Sequence, residues 1–119
     1  MPSSPITLNT RNPSLIHLHI LLVLAEGDRH GYGIKQEVER HTDGQIRLGP
    51  GTLYEAIQRL EHSGLIEEAP ARSGGDGRPR RYYRLSRQGW GVLEGEIARL
   101  RGLLARAMAL PRLRRAATA

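Results

Sequence analysis

The apolar positions change rhythm several times along the chain. From Leu15 to Ala25 the run Leu-Ile-His-Leu-His-Ile-Leu-Leu-Val-Leu-Ala is apolar nearly all round, which predicts a helix covered on more than one side. Asn12 or Ser14 can cap it, Pro13 suits its first turn, and Gly27 predicts a left-handed stop after Glu26. Ile34 and Val38, one turn apart, predict a second helix from Tyr32 to about His41, with Lys35, Glu37, Glu39 and Arg40 turned to water. Thr42-Asp43-Gly44 breaks that helix. An extended piece from Gln45 to Leu48 then leads to a turn at Gly49-Pro50-Gly51. Thr52 reads as the N-cap of a third helix, with Glu55 completing a capping box. Leu53, Ala56, Ile57 and Leu60 make its inner face, and Tyr54, Glu55, Gln58 and Arg59 its outer face.

After Gly64 the period shortens. Leu65 to Ala69 predicts a strand, Arg72 to Arg80 a basic, glycine-rich hairpin tip, and Arg81 to Leu85 a second strand. Ser86 can cap a last helix in which Trp90, Leu93, Ile97, Leu100, Leu104 and Ala107 recur at alternating spacings of three and four. That is the seam of a helix packed along another helix. Pro111 ends it. The predicted fold is mainly α with a small β-hairpin: three helices and a two-stranded wing make a winged helix-turn-helix, followed by a C-terminal dimerisation helix. The corresponding division is a flexible arm over 1–11, the winged unit over 12–85, the dimerisation helix over 86–110 and a basic tail over 111–119.

Charge sharpens this picture. Residues 1–70 carry nine acidic and six basic side chains, whereas residues 71–119 carry twelve arginines and three acids. Basic charge gathered in one half points to a polyanionic partner. The absence of cysteine excludes disulfides, thiol catalysis and thiolate metal sites, and fits a reducing, cytoplasmic setting. The run from Leu15 to Ala25 is too short to span a bilayer and lacks the flanks of a signal peptide, so no membrane partner is expected.

Double-stranded DNA fits these features. A helix lying in the major groove needs an apolar back and a polar front, with cations on either side. Tyr54 and Gln58 stand one turn apart on the front of the third helix: a phenol for a phosphate or a thymine methyl, and an amide for adenine. Thr52 lies at the amino-terminal end, where the helix dipole favours phosphate. Arg78, Arg80 and Arg81 supply cations from the hairpin. His17 and His19 point to different sides of one helix, and His30, His41 and His62 show no carboxylate at useful spacing, so no metal or cofactor is expected. No catalytic arrangement is present, which argues against an enzyme.

These residues resemble the PadR-like transcriptional regulators. The resemblance is carried by His30-Gly31-Tyr32-Gly33-Ile34, by Gly49-Pro50-Gly51-Thr52-Leu53-Tyr54 through Arg59-Leu60-Glu61 and Gly64-Leu65-Ile66, and by Gly77-Arg78-Pro79-Arg80-Arg81-Tyr82-Tyr83-Arg84-Leu85 with Gly89 after it. It implies a sequence-specific repressor whose recognition helix starts at Thr52, whose wing lies near Arg78 and whose last helix forms a homodimer. Thr52, Tyr54 and the Tyr32 region are then expected at the DNA backbone, with Glu55, Gln58, Arg59, Arg80 and Arg81 in the same surface. Independently of the resemblance, Leu93, Ile97, Leu100 and Leu104 form a stripe too large for a monomer to leave bare. The expected interface adds Trp90 and, from the first helix of the partner, Leu18 and Leu22. Two-fold symmetry predicts a pseudo-palindromic operator. Trp90 also leaves room for a small aromatic effector. The rival reading is a winged-helix adaptor that docks an acidic protein and does not read DNA.

Overall fold

The computed structural model describes residues 13–73 and 79–118. The expected arm over 1–11, Arg78 and the glycine-rich tip lie outside the described residues. In chain order the elements are α1 (Pro13–Glu26), β1 (Arg29–His30), α2 (Gly31–His41), α3 (Pro50–His62), β2 (Ile66–Ser73), β3 (Pro79–Leu85), α4 (Arg87–Met108) and α5 (Pro111–Thr118). The architecture is mostly helical, with one antiparallel sheet in the order β1-β3-β2.

The all-round apolar character of α1 is explained by its position. Ile16, Ile20, Leu21, Val23 and Leu24 are buried, and Leu15, Leu18, Leu22 and Ala25 pack partly against the same core. The helix touches α2, α3, α4 and β3. Around it sit Ile34 and Val38 of α2 and Leu53, Ala56, Ile57 and Leu60 of α3. Each of the Ile, Leu and Val side chains contributes roughly 1.5–3 kcal/mol when fully buried. Between α2 and α3 the chain is irregular, yet Ile46 and Leu48 alternate into the core at 3% and 2% exposure while Arg47 stays out.

The helix ends follow local chemistry, in two places differently from expectation. Thr52 is not the N-cap of α3. The helix starts earlier, with Gly49 as cap and Pro50 in its first turn, and no side chain caps it. Proline fixes the helical φ and has no N–H to satisfy, so it begins the helix two residues before the threonine can cap it. The Thr52–Glu55 capping box therefore does not form. Likewise α1 ends at Gly27 with φ +157°, not in the left-handed helical turn. At the far end of α3, Gly64 (φ +78°) does take the left-handed conformation. Its N–H donates to Glu61 O at 2.9 Å and that of Leu65 to Leu60 O at 3.0 Å, closing the helix.

The wing is larger than the sequence suggests. β2 and β3 pair from Ile66↔Leu85 out to Ser73↔Pro79, with an irregularity between Ala69 and Arg72. Pro70 falls in that irregularity on an edge strand, where a residue without an N–H is tolerated. β1 adds Arg29↔Tyr83 and His30↔Tyr82 on the other side of β3. Two residues carry no periodicity, so nothing in the pattern marks this strand.

Ser86 caps α4 as expected, accepting from Gly89 N at 2.9 Å. The Ser86 hydroxyl donates to Gly64 O at 2.5 Å, and Ser86 N donates to Leu65 O at 3.0 Å. The root of α4 is thereby fastened to the turn that ends α3. The basic tail is helical: after Ala109 and Leu110 the chain turns into α5. Pro111 ends one helix and serves as the first residue of the next.

Candidate nucleic-acid interface

The inner face of α3 is closed, with Leu53, Ala56, Ile57 and Leu60 all at 5% exposure or less. Its outer face carries Thr52, Tyr54, Glu55, Gln58 and Arg59, all exposed. At the amino-terminal end nothing competes for the helix dipole: there is no side-chain cap and no acid in the first turn. The free N–H groups of that turn are thus available to an anion.

Tyr54 and Tyr32, each 56% exposed, border a groove of about 360 Å³ lined also by His30, Arg80, Arg81 and Tyr83. The groove brings together residues from four elements. Gly31 lies against α3 here, with Tyr54, Ile57 and Leu53 at ordinary contact distance from where its Cβ would stand. His30 joins the helical part to the sheet. Its Nδ1 accepts from Gly33 N at 3.0 Å, capping α2, and its ring meets Tyr82 edge-on at a centroid distance of 5.3 Å. Burial, and then the positive charge of Arg80, push the His30 pKa below its ordinary value. The cap requires the neutral ring, and the environment favours it.

Of the residues expected at a DNA surface, the structure brings Tyr32, Tyr54, Arg80 and Arg81 around one groove. Thr52, Glu55 and Arg59 line a second cavity of about 640 Å³, on the side of α3 facing Ile16 and His17. Arg59 pairs with Glu55 at 3.1 Å, and Arg81 approaches Glu68 at 3.5 Å. Gln58 stands with His17, Glu55 and Arg59 beside a shallower depression.

Two cations escaped the sequence reading. Arg47 lines the larger cavity beside Thr52, and the signal for it was a basic residue just ahead of Gly49-Pro50-Gly51. Lys35 lies 5.8 Å from the centre of the Tyr32 ring while pairing with Glu39 at 2.8 Å. Its position three residues after Tyr32 on one helix could have shown it.

The residues expected at the dimer interface divide. Leu93 is buried in the core of its own chain, and Ile97, Leu18 and Leu22 pack partly against that core. Leu104 is 61% exposed and Trp90 44%, and Leu100 is half-buried. The first half of α4 thus packs on its own chain while the second half stands clear. One statement about the histidines is overturned: His41 does have carboxylates within reach, Glu37 one turn back and Glu26 across from α1.

Three helices, a sheet carrying a two-stranded wing, and a long helix leaving the wing's base define a winged helix-turn-helix protein. Residues 20–95 match the Transcriptional regulator PadR-like family, and the chain belongs to that family. It is 40% identical over 78 residues to Transcriptional regulator Rv3488 of Mycobacterium tuberculosis, a match spanning 66% of this chain and 68% of that protein. A Lysinibacillus sphaericus protein is also 40% identical, over 70 residues; there the chain spans 63% of its relative's length and 59% of its own. Among solved structures, a transcriptional regulator from Clostridium thermocellum superposes with a TM-score of 0.67 at 26% identity, covering 87% of this chain and 96% of that one. Bacillus subtilis PadR in complex with operator DNA shares the fold, at TM-score 0.60 and 19% identity, over 70% of this chain and 46% of that one. Among the described residues no helix is long and apolar enough to cross a membrane.

Proposed function

We propose that the chain acts as a homodimeric repressor that reads a pseudo-palindromic operator with two copies of α3. The observation that carries this reading is the amphipathic α3, which turns Thr52, Tyr54 and Gln58 outward beside a groove holding Arg80 and Arg81. In this reading Tyr54 and the first turn of α3 meet phosphate, Gln58 reads a base edge, and Tyr32, Arg80 and Arg81 hold the flanking backbone. Glu55 holds Arg59 in place at the side of the helix. Bacillus subtilis PadR, which shares this fold, has been seen on its operator, and that supports DNA as the partner here.

The dimer is supported by the exposed apolar side chains of the C-terminal rods, Leu103, Leu104, Leu110 and Leu113, which a second copy would cover. Two-fold symmetry then sets half-sites about one helical turn apart, roughly 34 Å. Trp90, exposed in the first turn of α4, is the residue on which a flat aromatic effector would stack.

The test is a titration of the duplex upstream of the chain's own gene, at two salt concentrations, against a random duplex of equal length. Tight binding that falls steeply with salt and exceeds random-sequence binding is expected. Parity with the random duplex would reject operator reading and favour the protein adaptor.

A further inference from the structure

Glu26 closes α1, and Glu37 and His41 stand one turn apart at the end of α2. The short link through β1 returns the chain beside α1, so three side chains from two helices converge at the surface. His41 Nε2 lies 3.4 Å from Glu26 Oε1 and 3.4 Å from Glu37 Oε2. One donor atom from each of the three residues lies within 4.8 Å of the others. These separations are long for hydrogen bonds, since N–H···O contacts close at about 2.7–3.2 Å. The two His41 distances match the edge of a metal polyhedron, because donors about 2.0–2.1 Å from a tetrahedral Zn²⁺ stand about 3.3–3.4 Å apart, and the two carboxylates, within 4.8 Å, close on the ion when it binds.

We propose that Glu26, Glu37 and His41 form a divalent-metal site of the Zn²⁺ class, fastening the end of α1 to the end of α2. An imidazole with two carboxylates is a donor set that Zn²⁺ accepts, with the fourth position left to water. The spacing of four residues between Glu37 and His41 puts both donors on one helical face, and Glu26 brings the third from a separate element. Arg40 is the competitor. Its Nε and Nη2 both donate to Glu37 Oε2, at 3.1 and 2.6 Å, from an exposed side chain. The same Nη2 stands 3.4 Å from His41 Nε2, so a bound cation must displace that guanidinium from both donors, and removing the arginine's charge strengthens the site.

The experiment uses the full chain, stripped with a chelator and titrated with Zn²⁺ by calorimetry in the absence of DNA, so its failure is separate from any failure of operator binding. Expected are one ion per chain, visible ligand-field bands of tetrahedral geometry when Co²⁺ is substituted, and a thermal midpoint that rises with Zn²⁺. His41→Ala and Glu26→Gln should each weaken uptake on the order of tenfold or more, Arg40→Gln should tighten it, and His62→Ala on α3 should leave it unchanged. Circular dichroism of each variant separates lost binding from lost folding. No uptake by the unaltered chain, or wild-type affinity in folded His41→Ala and Glu26→Gln, would overturn the proposal.

Discussion

Gly89→Ala adds a single methyl group to the first turn of α4. An ideal Cβ at that position would lie 1.9 Å from the carbonyl oxygen of Leu65 and 3.0 Å from its carbonyl carbon. Carbon–oxygen contacts settle at about 3.3–3.6 Å, so roughly 1.4 Å must be made up. The obstacle is backbone, and it cannot rotate aside. Either the helix root lifts or the Leu65 carbonyl withdraws, and each movement strains the Ser86 N–H bond to that oxygen, now 3.0 Å. Overpacking costs about 1–3 kcal/mol and the hydrogen bond about 1 kcal/mol, against a gain of about 1 kcal/mol in helix propensity. A net loss of about 3 kcal/mol is expected, because rigid backbone places the overpacking cost at the top of its range. Gly95→Ala is the internal control: it lies in the same helix with nothing within 4 Å of its Cβ, and should gain up to about 1 kcal/mol. Urea unfolding of both variants at one chain concentration measures the contrast. Equal stabilities for the two, or a Gly89→Ala variant as stable as the parent, would refute the close-approach argument.

Other consequences are open to direct measurement. Gln58→Ala should lower discrimination at one operator position by roughly 1–3 kcal/mol while leaving binding to random DNA unchanged, whereas Arg80→Ala with Arg81→Ala should weaken binding to every sequence and flatten the salt dependence; competition titrations over operator variants distinguish the two patterns. Leu103→Glu with Leu104→Glu should yield folded monomers in sedimentation and abolish operator binding at concentrations where the parent binds. Burial lowers the pKa of His17, with Arg59 adding to it, and that of His19, with His41 adding to it. A histidine with a depressed native pKa contributes stability that is complete above its unfolded value of about 6.5 and is lost as pH falls below it. Thermal midpoints should therefore be flat above that pH and decline on acidification, and replacing both residues by Gln should blunt the decline.

The parts of the fold that the sequence announces are those in which one periodic signal dominates. The inner face of α3, the pair Ile34 and Val38, and the Ser86 cap sit where expected because burial and capping act locally there. Where two local signals compete, the reading goes astray. Thr52 and Glu55 spell a capping box, yet Pro50 two residues earlier starts the helix. Pro111 reads as a terminator because it follows a long helix, although the same residue favours the first turn of α5. β1 is invisible for another reason: two residues pair with β3 only because the sheet is already there to receive them. The groove between Tyr32, Tyr54 and Arg80 is likewise tertiary. Tyr32, Tyr54, Arg80 and Arg81 are each legible as candidates, but their meeting depends on the packing of α2 against the sheet, which His30 ties by capping α2 and meeting Tyr82.

In the proposed assembly, a few residues at the base of α4 tie the dimer to DNA reading. Ser86 is hydrogen-bonded to Gly64 and Leu65, the residues that close α3, and Gly89 rests on the Leu65 carbonyl. In the proposed dimer, the direction of the C-terminal rod relative to the reading helix is therefore set within one turn. The rod is 22 residues long, about 33 Å at helical rise, so a small tilt at the root becomes a shift of several ångströms at its far end. Half-site spacing tolerates little such error, because both helices must enter successive major grooves on one face of the duplex. A folded variant that loosens this junction, such as Ser86→Ala, should bind an isolated half-site as the parent does and lose affinity for the full operator. Equal losses on both duplexes would place the defect in α3 itself and break the proposed link between rod and reading helix.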